Sequence, residues 1–546
     1  MTRMLSALFT AAALLLGACA SAPPSRPAGW NAPEIVVAPS SFTGVHGLAV
    51  DKRGRLLAGS VVGNAIWEVD RSTGAAKVLV EGAEGEGQAD DIAIGPNGEM
   101  AWTNYLMGML RYRENDAAPM RVLAKDLPGL NSLDFDRRNG KLYASQVFLG
   151  DALWEIDVAA MKPPRLIAKD LGGLNGFEVG PDGMIYGPLW FKNSVVKVDP
   201  ANGAVTVINS QFKTPAAANL DGKGNLWVVD TATGELCKVE LASGRKTVVA
   251  KLRTALDNLA IAPEGTICVS NMADNSIEAI DPATGAVKVL TRGAVAVPSG
   301  VKVSGGTLWV ADIFSHRKVD LASGTVSDVM RMHGDGVVME YPFAVGISAN
   351  RVVLASWFTG TVQVLDRASN KTLVMSHGWQ APYDALPMVD GSVLVIEIAT
   401  GNLTRASGAD LATRTVVASG LAGPVQMAPG LDGRVYVTEA AGNLVRINLA
   451  DGSKSVVASG LALPEGVAQT PWGTFIVAEA AAARLVEIDP VANTRRTVAE
   501  NLPIGRLGGP GMPPPLAATG VDVGADGTIY FSANKNNAIY RVRPMR

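Results

Sequence analysis

Five side chains able to ligate a hard cation, His46, Asp90, Asn131, Asn175 and Asp257, each stand at or just inside the start of an apolar strand pattern in a repeating unit. Carboxylate and amide oxygens are the donors that Ca²⁺ and Mg²⁺ select, and Zn²⁺ or Mn²⁺ is compatible if the His46 imidazole joins them. Such a cation would polarise a carbonyl and lower the pKa of a bound water, and Asp257 or His46 could remove its proton. Equally, Asn and Asp at strand starts could cap strand ends or hold water in a solvated tunnel. A second group, His333, His377 and Glu397 with the aromatic Tyr341, Trp357, Trp379 and Tyr383 around them, has the composition of a small-molecule pocket and of an acid/base set for elimination or hydrolysis without an axial metal. There too a plain reading stands beside it: the histidines could be solvated loop residues. Glu397, like Asp312, Glu439 and Glu479 at the same repeated strand end, could cap a turn. The chain holds no Ser-nucleophile motif, no CxxC pair and no phosphate-cradling Gly loop with Lys, which disfavours a covalent mechanism.

These residues are positioned by a repeat. From residue 44 onward the chain cycles through an apolar strand, a Pro-Asp-Gly-type turn, a second apolar strand, an alternating third strand, an Asp-Pro-x-x-Gly-type turn and an alternating fourth strand. Residues 174–208, LNGFEVGPDGMIYGPLWFKNSVVKVDPANGAVTVI, are a clear copy. The pattern predicts a four-stranded antiparallel meander. Its first turn recurs as Pro96-Asn97-Gly98, Pro263-Glu264-Gly265, Pro471-Trp472-Gly473 and Ala525-Asp526-Gly527. Units start near Val45, Asp90, Leu130, Leu174, Pro215, Leu256, Val297, Tyr341, Pro382, Pro424, Pro464 and Ala518, about 42 residues apart, which is the length of a β-propeller blade. Twelve blades in one ring would leave a wide hole. The expected fold is therefore all-β, two tandem six-bladed β-propellers over residues 33–285 and 286–546, against one ring of seven or eight blades with appended sheets.

The first two strands of a blade are antiparallel, so the loops before the first and after the second share one rim. In the first ring His46, Asp90, Asn131, Asn175, Ala216 and Asp257 should converge near the axis. The matching second-ring residues, Ser299, Phe343, Tyr383, Val425, Glu465 and Thr519, lack a ligand set. Residues 33–38, PEIVVA, read as a fourth strand without a unit, and the last unit stops at its third strand, AIYRVR. A closure that leaves no sheet edge would pair 33–38 with the strand ending near residue 282, and 287–290 with 538–543.

With 48 Lys+Arg against 51 Asp+Glu the net charge is −3, which gives no electrostatic case for nucleic acid. The 59 glycines and 18% charged residues suit many turns and buried strands and exclude disorder and collagen. Residues 1–18 read as a signal peptide, with Arg3 before the apolar run 4–16, too short to span a bilayer as a mature helix. Leu16-Gly17-Ala18-Cys19 resembles the bacterial lipobox, which implies cleavage before Cys19 and a lipid on its thiol. Ala20, where inner-membrane retention wants Asp, points to the outer membrane, facing the periplasm. Residues 19–32 are Pro/Ala-rich and suit an extended tether. The expected partners are then a small-molecule substrate or an envelope ligand, with the membrane touched only through the lipid. Cys237 and Cys268 lie in apolar strand patterns and read as small hydrophobes rather than a disulfide.

The motifs LNGFEVGPDGMIYG and LDNLAIAPEGTICVSN, and the order of axial Asn residues, resemble the senescence-marker-protein/gluconolactonase family of six-bladed propellers. The repeat form is also similar to the NHL and virginiamycin B lyase propellers along almost all of residues 44–546, whereas the site resemblance covers the first ring only. It implies a divalent cation held at the axis by a Glu, two Asn and an Asp, the Asp doubling as base for lactone hydrolysis. Asn131 and Asn175 match the two amide ligands, and His46 or Asp90 would stand in for the Glu. Ala216 occupies the place of the family's Asp, so Asp257, one blade later, would take that role. The function this implies is an envelope-anchored, metal-dependent hydrolase of a lactone or related cyclic ester, gluconolactonase-like. The alternatives are a non-catalytic module for a carbohydrate, peptide or envelope protein, and a lyase working through the second ring. Fold alone does not choose among them.

Overall fold

The computed structural model describes residues 24–82, 88–334, 338–509 and 512–545. The signal peptide and Cys19 lie outside them, and among the described residues no helix is long and apolar enough to cross a membrane. The described chain forms twelve four-stranded antiparallel sheets, one per sequence repeat, and a two-stranded ribbon of Arg506–Leu507 with Pro515–Ala517. In the fourth blade, Glu178–Val179, Ile185–Leu189, Ser194–Val198 and Val205–Asn209 follow one another as a meander. The second strand is fully buried and the fourth faces solvent.

The innermost strands decide how the sheets assemble. Val45–Val50 packs against its successor Ile92–Ile94 and also against Leu256–Ile261 of the sixth sheet. In the same way Val301–Ser304 packs against both Ala344–Ile347 and Val521–Val523. The twelve blades therefore close into two rings of six. Close approach at the axis depends on small residues: a Cβ on Gly47 would collide with the Asp90 carbonyl oxygen of the next blade. Buried carboxylates then stitch successive inner strands. Asp134 accepts from the Val179 N–H at 2.8 Å, Glu178 from Leu220 at 2.7 Å, Asp384 from Met427 at 2.9 Å and Glu465 from Thr519 at 2.6 Å.

These carboxylates hold a place that favours the neutral form. Burial raises Glu465 to about 7 and Asp384 to about 6. Above an unfolded pKa near 4.5, and up to about 7, the folded chain keeps a proton on Glu465 that the unfolded chain gives up. The stability this group contributes is thus complete below that window and lost as pH rises through it. Glu465→Gln, which keeps an acceptor for Thr519, is expected to stabilise the protein by about 2–3 kcal/mol at pH 8 and to leave it unchanged near pH 4. Urea melts at both pH values check this.

Ring closure differs from the expected one. Val287–Arg292 pairs with Ser276–Ile280 of its own blade, and Glu34–Val37 pairs with Ala538–Val542, the third strand of the last blade. Both candidate strands are short, largely exposed outer strands, so ladder chemistry does not separate them, but loop length does. Residues 287–292 follow their partner through a tight turn in which Asp281 accepts from Ala283 at 2.8 Å, and a short closure costs less chain entropy than a distant one. The N-terminal strand is left to finish the second ring, with Glu34 paired to Arg541 at 3.0 Å and also to Arg543. The first ring thus runs from 45 to 292.

Residues 24–32 also depart from an extended tether. Arg26 is ion-paired to Glu487 at 2.9 Å and to Asp489 at 3.1 Å, Arg496 donates to the Pro27 carbonyl at 2.9 Å, and Trp30 is buried beside Trp472. Cys237 and Cys268 are buried free thiols in different blades.

The rings meet through their corresponding rims. Arg331 of the second ring reaches Asp274 at 2.7 Å, Asn271 at 2.9 Å and the Thr254 carbonyl at 2.8 Å, while Arg506 donates to the Val62 carbonyl at 2.9 Å. A shared apolar cluster joins Val62, Ala255 and Met272 to Ile313, Phe314 and Phe343.

Candidate active site

The first-ring rim converges as its repeat position requires. Ligating atoms of His46, Asp90 and Asp257 all lie within 4.8 Å of one another, the first two side chains almost wholly buried. Asn131 and Asn175 line the same cavity. Ser132 Oγ lies 2.8 Å from Asn131 Oδ1 and 3.2 Å from Asn175 Oδ1, so its one hydroxyl hydrogen is shared between the two amide oxygens. Ala216 is buried in an apolar cluster and adds nothing to the site.

The centre's electrostatics suit a cation. His46 Nδ1 is 2.6 Å from the Gly44 carbonyl, which can only accept, so Nδ1 carries a proton and Nε2 is the nitrogen turned to a ligand. Asp90 is pushed well above the carboxylate range by burial and then by the charges of Asp257 and Asp91. Asp257 is raised by burial, against the opposing pull of His46. Asp90 Oδ2 is buried without a hydrogen-bond partner. Two crowded carboxylates, one with an unused buried oxygen, and an imidazole form a donor set that a divalent cation would fit.

Above this centre lies a cavity of about 440 Å³ that belongs to both rings. The first ring supplies the floor and walls, including Tyr105, Phe148 and Trp190, and the second supplies Phe314, Met339, Tyr341, Trp357 and Phe358 as a roof. Phe314 packs edge-on to the His46 ring at 5.2 Å, and Gly44, at φ +62°, leaves it room: a Cβ there would strike the Phe314 ring. Tyr341 is held protonated by burial and by the nearby Asp257 and Asp90 charges. Tyr105 is raised likewise by burial, Tyr341 and Asp90.

The second group of sequence candidates is dispersed. His333 lines the cavity, edge-on to Trp190 at 5.5 Å, and burial lowers it to about 4, so it is neutral at pH 7. His377 is exposed and bonds through Nε2 to Glu340, itself a cavity residue, at 3.0 Å. Glu397 caps a turn, accepting from the Gln380 N–H at 2.7 Å and from the Thr404 hydroxyl at 3.2 Å. Asp312, Glu439 and Glu479 repeat that cap on Ala296, Ala422 and Ala462. An acid/base set of His333, His377 and Glu397 is therefore not assembled. Tyr341 and Trp357 line the cavity, but Trp379 is packed between blades under the Arg414 guanidinium, 3.8 Å from its ring. Tyr383 is buried at the second ring's axis, its hydroxyl donating to the Pro515 carbonyl. Glu397→Ala is expected to cost about 1–3 kcal/mol in stability and to leave cation affinity unchanged, as melting and calorimetric titration of one preparation would report.

Tyr105, Phe148, Trp190, Phe314 and Phe358 were not singled out from sequence. They share a signal nonetheless: each stands just after the second strand of its blade, the position that marks Trp357.

No protein family profile and no curated protein matches this chain. Solved structures similar to it include two lyases. A streptogramin B lyase matches at 14% identity over 68% of this chain and 93% of its own, with a TM-score of 0.26. The selenomethionine-substituted virginiamycin B lyase of Staphylococcus aureus matches at 15% identity over 61% and 95%, with a TM-score of 0.27.

Proposed function

We propose that this chain is a divalent-cation-dependent hydrolase of a lactone or related cyclic ester, with its active site at the axis of the first ring. The observation that supports this is the convergence of His46, Asp90 and Asp257 on one point of the inter-ring cavity. His46 Nε2 and the Asp90 and Asp257 carboxylates would hold the cation, with Asn131 and Asn175 beside them. When bound it would supply a polarised carbonyl and a water acidic enough to lose its proton near neutral pH. Asp257 takes the proton as the water oxygen bonds to the carbonyl carbon. The ring C–O bond breaks, and its oxygen receives that proton to give an open-chain hydroxy acid. Tyr341 and Tyr105, both kept protonated, are O–H donors beside the reacting groups. Ca²⁺ or Mg²⁺ fits the oxygen donors, and the imidazole extends the choice to Zn²⁺ or Mn²⁺.

The test is metal content of protein purified without chelator, followed by turnover of a lactone panel. Asp257→Asn keeps an oxygen for the cation and removes the base, so the rate should fall about 10²–10⁴-fold while the metal stays. No bound cation and no turnover with metal supplied would replace this reading with a binding module. We further propose that Cys19 carries a lipid that anchors the protein in the envelope. Cys19→Ser should move it from the membrane to the soluble fraction, and continued detergent dependence would argue against the anchor.

A further inference from the structure

The cavity has two unlike ends. Its floor is the His46, Asp90 and Asp257 cluster, whereas the roof contributed by the second ring is mostly apolar, with Phe314, Met339, Tyr341, Trp357 and Phe358 as its largest side chains. Polar second-ring side chains on the cavity are few, His333, Glu340, Thr359 and the Tyr341 hydroxyl, so most hydroxyls of a polyhydroxylated sugar lactone would face apolar surface at the cost of their desolvation. An apolar body removes the same surface from water favourably. Two aromatic contacts hold the roof in shape: Tyr341 stands edge-on to Phe358 at 5.4 Å, and the Trp357 indole N–H donates to the Leu516 carbonyl at 3.0 Å. The indole's polar edge is thereby spent on the protein itself.

We infer that the second ring is the specificity element of the first ring's site, and that the substrate it admits is a lactone or cyclic ester carrying an apolar alkyl or aryl body rather than a sugar lactone. This rests on the hydrolase reading for its reaction and on the roof alone for its substrate class, so the two can be tested apart.

One arm measures kcat/KM of the metal-loaded protein on γ-lactones bearing side chains from methyl to hexyl, with gluconolactone alongside. The other measures, by calorimetric titration, binding of the matching γ-lactams, whose amide resists hydrolysis, with the gluconolactam as the sugar counterpart. Affinity is expected to rise roughly three- to fourfold per methylene until the chain reaches the roof, with kcat/KM following it. Phe358→Ser should flatten both series to less than twofold per methylene while cation affinity stays unchanged. Flat lactam affinity, or preference for the gluconolactam, would overturn the assignment whether or not lactones turn over. Chain-length-dependent lactam binding without turnover of any lactone would uphold the apolar site and overturn the hydrolase reading instead.

Discussion

Asp90→Ala is expected to strip the first ring of its cation and to lower turnover by about three orders of magnitude, the scale of losing several kcal/mol of charge stabilisation. Asp90 is the carboxylate with an unused buried oxygen, and burial with two neighbouring acids holds it far from its ordinary titration. The same substitution should make the chelator-treated protein more stable. It deletes a desolvated carboxylate, so a rise of about 2–4 °C or more in melting temperature is expected. Plasma emission spectrometry and a thermal scan of one preparation read both effects. A variant that keeps its metal, or whose apo form melts lower than the parent, would separate Asp90 from the cation.

Deleting residues 33–38 should leave the first ring whole and open the second. Every strand of the first ring lies between residues 45 and 292, while the last blade loses the strand that buries Val37 and pairs Glu34 with Arg541. Loss of one short outer strand, a buried valine and two ion pairs corresponds to about 3–6 kcal/mol. Calorimetry should show an early second-ring transition, and cation affinity in the first ring should hold within about threefold. An unshifted thermogram would mean that the strand adds nothing to closure.

The blades and the axial residues were legible because both depend on register within one unit. The strand–turn spacing recurs, and a side chain at the same step of each inner strand must reach the same axis, so His46, Asp90 and Asp257 could be placed together from their positions alone. What could not be read depends on relations between units. Residues 34–37 and 287–292 are both largely exposed outer strands, so their partners are chosen by loop length rather than by side-chain pattern. The roof was hidden for a like reason: Phe314 reaches His46, and Phe358 lines the same cavity, only because the rings turn equivalent rims toward each other. Aromatic rim residues do not announce which way they face, and Trp379 and Tyr383, grouped with Tyr341 and Trp357 by composition, are packed inside the second ring. Glu397 shares its repeat position with three other caps, and there the repetition itself marks structure rather than chemistry.

The strand Glu34–Val37 precedes both rings in the chain and completes the last blade of the second. During synthesis it emerges before any blade exists, and its ladder partners at 539–541 are nearly the whole chain away, the kind of contact that forms late. The first ring meets no such delay, since each of its blades is local. Assembly therefore proceeds from a finished first ring to a second that waits on Ala538–Val542, with Glu34–Val37 an unpaired edge until then. That edge is short and carries the charged Glu34, features that discourage pairing with another chain. A ribosome stalled before residue 538 would hold a first ring able to close beside a second that cannot, because the ladder partner of residues 34–37 would not yet exist.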